Sequence, residues 1–254
     1  MILTEINFKD NDFDDNNILK TSSLLKILQD AAVSDAEQFG ASHKNLLNDN
    51  MFFAVYRNIL TVKEQIKKGI EKAYLLTFQS GHDRMKFMRS YFVYLSKPTL
   101  SDNLKKTVLE TNNIDPSENA IIVCNSIWVL VDFEKRRLLR SDSLNYPVEE
   151  YEYSFPRPTK VIVETENKNP LGEFKGSDYY IDENKHVNNT VYADIISDFD
   201  SEKKSFNYFD VTYEHEILPE DTVLVYCENT EIGKKFTGLL KGNATPCFSV
   251  EIKY

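Results

Sequence analysis

The sequence predicts an α+β fold in which a helix followed by antiparallel strands occurs twice. Apolar residues recur at helical spacing from Leu24 to Phe39, and the segments that follow are rich in aromatic and β-branched residues, as strands are. A faint internal repeat aligns Asp14–Leu19 with Asp182–Val187 at a constant offset (182 − 14 = 168). Each copy reads as a polar turn, an apolar helix and several strands, which favours gene duplication over chance similarity.

The first copy begins with a polar turn at 12–17 that leads into the long helix. Thr21, Ser22 and Ser23 offer N-caps and Gly40 ends the apolar run, so the helix has about four to five turns. A shorter helix is expected from Ser42 to Asn48. Four strands are predicted after it, at Met51–Val62, Ala73–Phe78, Lys86–Ser96 and Ala120–Val131.

Irregular segments divide the chain into two predicted domains, 1–150 and 151–254. Residues 97–119 read as a long polar hairpin excursion, and residues 141–160 read as an inter-domain connection. Four more strands are predicted in the second domain, at Phe206–Glu216, Thr222–Glu228, Lys235–Leu240 and Phe248–Tyr254. In the repeat, Ile18 stands where the second copy has His186, and Glu64 pairs with Glu216 (216 − 64 = 152).

Composition narrows the classes of function. The 254 residues carry a net charge of −10, which disfavours generic nucleic-acid binding. The apolar runs are too short for a membrane span, and the N-terminal residues show no secretory signal. The three cysteines lie far apart without metal-type spacing, which indicates reduced thiols in a cytoplasmic protein.

The stretch 182–192 carries the candidate chemistry. Asp182, Asn184 and His186 alternate, so an extended segment would point their side chains the same way, directly before a helix-like segment. A carboxylate, an amide and an imidazole at a helix N-terminus can position a water, polarise a carbonyl or hold an anion. Turn formation explains each Asp and Asn separately, so spacing alone favours the structural interpretation.

Several motifs along the chain occur together. The most specific is Asp182-x-Asn184-x-His186-Val-Asn-Asn-x-x-Tyr192, followed by Glu216 five residues before Asp221. The first half contributes Leu28-Gln-Asp-Ala-Ala32, Arg89 within its aromatic strand, and the segment from Ser126 to Arg137. In this combination, over nearly its whole length, the sequence resembles the acyl-[acyl-carrier-protein] thioesterases of bacteria and plants.

The resemblance implies two tandem hotdog domains, each a long helix wrapped by a curved antiparallel sheet, with the two sheets side by side. It implies hydrolysis of the thioester between a fatty acyl chain and the phosphopantetheine arm of acyl-carrier protein, in fatty acid biosynthesis and without a cofactor. The acyl pocket would lie in the first domain and the catalytic residues in the second. Ile217 stands where plant members carry a cysteine, so a thiol nucleophile is not expected.

The resemblance also implies roles for four residues. Glu216 is the leading candidate for the base that takes a proton from the attacking water, and His186 would contact that water or the carbonyl. Asn184 would orient the water or the carbonyl, and Asp182 would orient a neighbouring amide or imidazole. Backbone N–H groups at the following helix start would complete an oxyanion site. Asp182 or His186 as the base stays open, and a metal site is the weaker interpretation.

The expected partner, acyl-carrier protein, is itself acidic, so docking on this acidic chain needs a local basic patch. Lys135–Arg140 and Arg84–Arg89 are the candidates. The alternative functions are an acyl-CoA thioesterase on the same fold and a non-catalytic acyl-binding hotdog protein. A monomer or a homodimer is expected, because two hotdogs in one chain already mimic the usual hotdog dimer.

Overall fold

A computed structural model describes residues 1–98, 115–151, 153, 159–177, 180–181 and 186–254. The chain separates into two compact units. The first comprises Met1–Tyr56 and Leu60–Pro156, and the second comprises Arg57–Ile59 and Arg157–Tyr254. Within the described residues, no helix has both the length and the apolar character that crossing a membrane requires.

The main helix of the first unit is α1 (Thr21–Glu37), which buries the apolar face that the sequence predicted. Thr21 is its first helical residue and Lys20 occupies the N-cap without a side-chain hydrogen bond, so the predicted cap was wrong. Helix α2 (His43–Asn48) does begin with a polar cap, because Ser42 Oγ accepts a hydrogen bond from the Asn45 N–H.

The strands of the first unit follow the order β1-β3-β4-β5-β2, and β6 pairs with β5. They are β1 (Ile2–Asn7), β2 (Met51–Val62), β3 (Lys72–His82), β4 (Lys86–Tyr94), β5 (Ile122–Asp132) and β6 (Leu138–Leu139). The sequence prediction located four of them and missed β1, which pairs with β3 along its length, and β6. Most of the predicted 97–119 excursion lies outside the described residues.

The second unit repeats this order as β7-β9-β10-β11-β8. Its elements are β7 (Gly172–Lys175), α3 (Val191–Phe199), β8 (Tyr208–Tyr213), β9 (Thr222–Asn229), β10 (Gly233–Leu240) and β11 (Pro246–Lys253). The prediction missed the short β7. Each strand therefore has a counterpart at the same place in the first unit, which supports the duplication inferred from the sequence.

The repeat is also present in the backbone hydrogen bonds that precede the two main helices. A bridge joins Phe13 to Leu19, and a second bridge joins Ile181 to Val187 at the same offset (187 − 19 = 168). The Leu19 N–H donates to the Ile66 carbonyl and the Val187 N–H donates to the Ile217 carbonyl, both at 2.9 Å.

A second repeated feature lies just beyond β2 and β8, where two successive N–H groups share one carbonyl. In the first unit, the N–H groups of Lys63 and Glu64 both donate to the Ile121 carbonyl. In the second unit, the N–H groups of Glu214 and His215 both donate to the Cys247 carbonyl. The offset here is one residue smaller than the sequence suggested (214 − 63 = 151). Glu64 therefore corresponds to His215, and Gln65 corresponds to Glu216. The predicted pairing of Glu64 with Glu216 was wrong, because faint sequence similarity does not fix register across loops of unequal length.

Candidate active site

His186 and Glu216 are brought together by the backbone of the second unit. The hydrogen bond from the Val187 N–H to the Ile217 carbonyl places the two preceding residues beside each other. His186 Nε2 lies 2.8 Å from Glu216 Oε2. Of the four predicted site residues, these two are described. Asp182 and Asn184 lie outside the described residues, and their roles stay predictions.

The two members of this pair differ in exposure. The His186 side chain is 13% exposed and the Glu216 side chain is 49% exposed, so water reaches the carboxylate while the imidazole is largely enclosed. A neutral imidazole has one donor and one acceptor nitrogen. A hydrogen bond from Nε2–H to the Glu216 carboxylate therefore leaves Nδ1 as the acceptor. The pair combines an accessible base with an oriented ring that can accept or return a proton.

Glu216 lies beyond the strand on which the sequence placed it. The predicted strand Phe206–Glu216 is too long, because β8 ends at Tyr213 and the shared Cys247 carbonyl then interrupts the ladder. The irregular backbone after Tyr213 positions Glu216 against His186, while His215 is exposed beside it.

In the turn from Val187 to Val191, four of the five backbone N–H groups donate a hydrogen bond within the protein. The acceptors are the Ile217 carbonyl for Val187, the Tyr180 carbonyl for Asn188, Asn188 Oδ1 for Thr190 and the Asn188 carbonyl for Val191. Among the described residues, the Asn189 N–H has no hydrogen-bond partner. It lies just before α3, where helix-start N–H groups favour negative charge. The sequence predicted such a donor near the helix start but did not identify Asn189.

Comparison with solved structures identifies the fold. An acyl-ACP thioesterase from Bacteroides thetaiotaomicron matches with a TM-score of 0.76 and 18% identity, over 99% of this chain and 96% of that chain. A protein from Lactobacillus plantarum described as an oleoyl thioesterase matches with a TM-score of 0.73 and 15% identity, over 99% and 94%. The 12:0-ACP thioesterase from Umbellularia californica matches with a TM-score of 0.69 and 13% identity, over 99% and 96%.

The chain has the double-hotdog fold. The prediction of two tandem hotdog domains is thereby confirmed, although the helix of the second hotdog has only nine residues. At 13–18% identity these matches establish the fold alone. No family model matches the sequence, and no curated protein matches it either.

The thiols of the two hotdogs are poorly suited to nucleophilic attack. Cys124 and Cys247 are buried and Cys227 is half-buried. Burial raises the pKa of Cys247 to about 12 and also raises the pKa of Cys227, so neither is ionised near neutral pH. Ile217 has no exposed surface and contributes its carbonyl to the turn. In the described part of the chain, no group of three or more His, Cys, Asp or Glu residues is arranged to hold a metal ion.

Of the basic residues predicted as candidates for docking, some are exposed and one is buried. Arg89 is buried, and its guanidinium donates to Asp35 at 2.9 Å and to Thr77 at 3.2 Å, so it is no docking residue. Arg84 is exposed, and its carbonyl accepts the Ser141 N–H, which joins its loop to the second basic loop. The exposed set, here called the basic patch, is Arg84, Lys135, Arg136, Arg137 and Arg140.

Proposed function

We propose that the protein hydrolyses fatty acyl-[acyl-carrier-protein] thioesters to free fatty acid and holo-carrier protein, as part of fatty acid biosynthesis. The observation that carries the proposal is the 2.8 Å contact between His186 and Glu216, formed directly before α3. The double-hotdog fold shared with three thioesterases supports the same reaction class. The motif that contains His186 and precedes Glu216 supports it independently, from the sequence.

In this mechanism water is the nucleophile. Glu216, half exposed, takes a proton from a water as it attacks the thioester carbonyl, and His186 holds or relays that proton. The carbonyl oxygen becomes an oxyanion, and the Asn189 N–H donates a hydrogen bond to it. The C–S bond then breaks, the proton passes to the pantetheine sulfur, and the carboxylic acid is released. By sequence motif, Asn184 orients the water or carbonyl and Asp182 orients a neighbouring group.

The test is release of free thiol from a panel of acyl-carrier-protein thioesters of increasing chain length. Glu216→Gln and His186→Ala should each lower kcat by ~10²–10⁴-fold, the usual contribution of a positioned acid or base. The matched controls are Glu214→Gln and His215→Ala. Glu214 pairs with Lys160 and His215 is exposed, so both controls should retain wild-type turnover.

Two results would replace the proposal. If the wild type binds acyl thioesters but turns over none of them, the acyl-binding alternative is correct. If Glu214→Gln and Glu216→Gln lose activity equally, the effect is a general one on the segment that follows β8, and the site assignment is wrong.

The basic patch offers a docking surface for the acidic carrier protein that the proposal names as the acyl carrier. It supplies a local positive surface on an acidic chain, and Arg136 is held in place by the rings of Phe52 and Phe133, each 5.5 Å from its guanidinium. Reversing charge at Arg136 and Arg137 together should raise KM for acyl-carrier protein at least about tenfold through like-charge repulsion.

The control substrate for this test is acyl-pantetheine, which lacks the protein surface and should keep its KM. The control variant reverses Lys67 and Lys68, an exposed pair of the same hotdog. The acyl-CoA thioesterase alternative is favoured by two results together. Acyl-CoA is hydrolysed faster than the matched carrier-protein thioester, and the Arg136/Arg137 variant keeps the wild-type KM for acyl-carrier protein.

A further inference from the structure

Tyr213, the last residue of β8, contacts the turn that precedes α3. Its hydroxyl donates a hydrogen bond to the Asn189 carbonyl at 2.9 Å. The Asn58 side-chain amide lies 3.5 Å from the same hydroxyl oxygen and is oriented as a donor to it. With a donor facing its oxygen, the hydroxyl proton is directed to the Asn189 carbonyl.

The aromatic ring fixes where this hydroxyl can lie. The Tyr213 ring packs edge-to-face on Tyr192 in the first turn of α3, with centroids 5.1 Å apart. Tyr192 is buried and packs in the same manner on Phe248, with centroids 5.3 Å apart. Edge-to-face packing is a preferred arrangement of aromatic pairs, so contacts with a buried ring orient the Tyr213 side chain and its hydroxyl.

Hydrogen bonds hold two successive peptide planes of the turn, and the Tyr213 hydroxyl holds one of them. In the peptide that joins Asn189 to Thr190, Tyr213 holds the carbonyl and Asn188 Oδ1 holds the N–H. In the peptide before it, the Asn188 carbonyl accepts the Val191 N–H. The Asn189 N–H belongs to that second plane and is the donor that the turn leaves for a ligand, among the residues described. A donor fixed in advance stabilises an oxyanion without reorganising during the reaction.

We infer that Tyr213 is a positioning residue for the thioester hydrolysis proposed above, on which this inference rests. Its hydroxyl holds the carbonyl of the Asn189–Thr190 peptide and so restrains the backbone at Asn189, which keeps the N–H of the preceding peptide directed at the developing oxyanion. The first hotdog agrees with this assignment. At the same 151-residue offset from Tyr213, established by the shared carbonyls (214 − 63 = 151), it has Val62, which offers no hydroxyl.

The experiment compares Tyr213→Phe with Tyr208→Phe in the full chain. Both substitutions remove one hydroxyl from β8, and Tyr208 bonds to Asp210 at 3.1 Å rather than to the turn. Tyr213→Phe should lower kcat by roughly two- to tenfold, the range that one net hydrogen bond supplies, with KM unchanged. It should also speed amide exchange at Thr190 and Val191. Tyr208→Phe should change neither kcat nor exchange in the turn, whatever it does to Tm.

The outcomes separate this inference from the proposed function. If wild-type protein hydrolyses no thioester, the proposed function fails, and the positioning role fails with it. If the wild type is active but Tyr213→Phe keeps wild-type kcat, or lowers it only as much as Tyr208→Phe does, the positioning role alone is wrong. Unchanged amide exchange at Thr190 and Val191 would overturn it independently of any activity.

Discussion

The segments that precede α1 and α3 have two backbone features in common and differ in their side chains. In both, a bridge closes the segment and its last residue donates to a carbonyl on the segment that follows β2 or β8. Ile18 and Gln65 occupy the places in the first hotdog that His186 and Glu216 occupy in the second. This backbone therefore forms without an imidazole or a carboxylate, and folding alone does not require either group at His186 and Glu216.

The same comparison ranks the parts of the sequence motif. In the first hotdog, Asp14 Oδ1 accepts hydrogen bonds from the Asn16 N–H at 2.9 Å and from the Ile18 N–H at 2.8 Å. Asp14 thus has a complete structural role as a turn former. An Asp-x-Asn pattern in this place is explained by local folding, whereas the His–Glu pair has no structural counterpart. The His–Glu pair is accordingly the more informative half of the motif.

The strongest test of the comparison gives the second hotdog the residue types that the first hotdog has at these two positions. The double variant His186→Ile with Glu216→Gln should lose ~10²–10⁴-fold in kcat, no more than Glu216→Gln alone, because residues that act as a unit are not additive. Its free energy of unfolding should change by about 1 kcal/mol or less, since the equivalent backbone folds with these residues. Thermal unfolding and thiol release measured on one preparation check both statements.

A large loss of stability in the double variant would contradict the comparison, because the pair would then be needed to hold the turn. The matched control is Ile18→Val with Gln65→Asn in the first hotdog. It alters the equivalent positions of the other hotdog and should retain wild-type turnover.

Much of the fold could be predicted from the sequence, because its long elements carry strong patterns. Met51–Val62 was predicted at its observed bounds, and the apolar face of α1 was read correctly. The short strands β6 and β7, with two and four residues, have too few positions for alternation to show. β1 was missed because only one of its six residues, Ile6, is buried and because its pairing with β3 is a tertiary feature.

The candidate site was predictable in its residue types but not in its backbone. The sequence predicted His186 and Glu216 as candidate site residues, but it placed Glu216 on a strand that in the structure ends at Tyr213. The shared Cys247 carbonyl that ends this strand is a non-local contact and leaves no local signal. For the same reason, nothing in the pattern around Tyr213 reveals that its hydroxyl reaches the Asn189 carbonyl. Such positioning groups emerge only from tertiary packing.

The two main helices also differ at their C-terminal ends. Helix α1 has 17 residues, whereas α3 has nine and is followed at its C-cap by a buried carboxylate, Asp200. A carboxylate is unfavourable at this end of a helix dipole, so it needs a cation. Lys234 supplies it at 2.7 Å, and Tyr254 donates a further hydrogen bond at 2.8 Å. Burial acts to raise the pKa of Asp200, but these hydrogen bonds hold that pKa below its ordinary value.

A smaller effect is therefore expected at this end of α3, on stability rather than on turnover. Lys234→Met should cost about 3–5 kcal/mol of unfolding free energy, because it leaves a buried carboxylate without its cation. Lys241→Met, which breaks the exposed pair with Glu173, should cost about 1 kcal/mol or less.

The lowered pKa of Asp200 sets the pH dependence of this effect. The Lys234 contribution to stability is present above the ordinary carboxyl pKa of ~3.9 and is lost as pH falls through the folded pKa. Denaturant unfolding at pH 7 and below pH 4 measures both effects. If the folded Lys234→Met protein retains its kcat, the C-terminal end of α3 contributes to stability alone, and the N-terminal end near Asn189 and His186 contributes to turnover. If kcat falls as far as it does in Glu216→Gln, the two ends of the helix do not act separately.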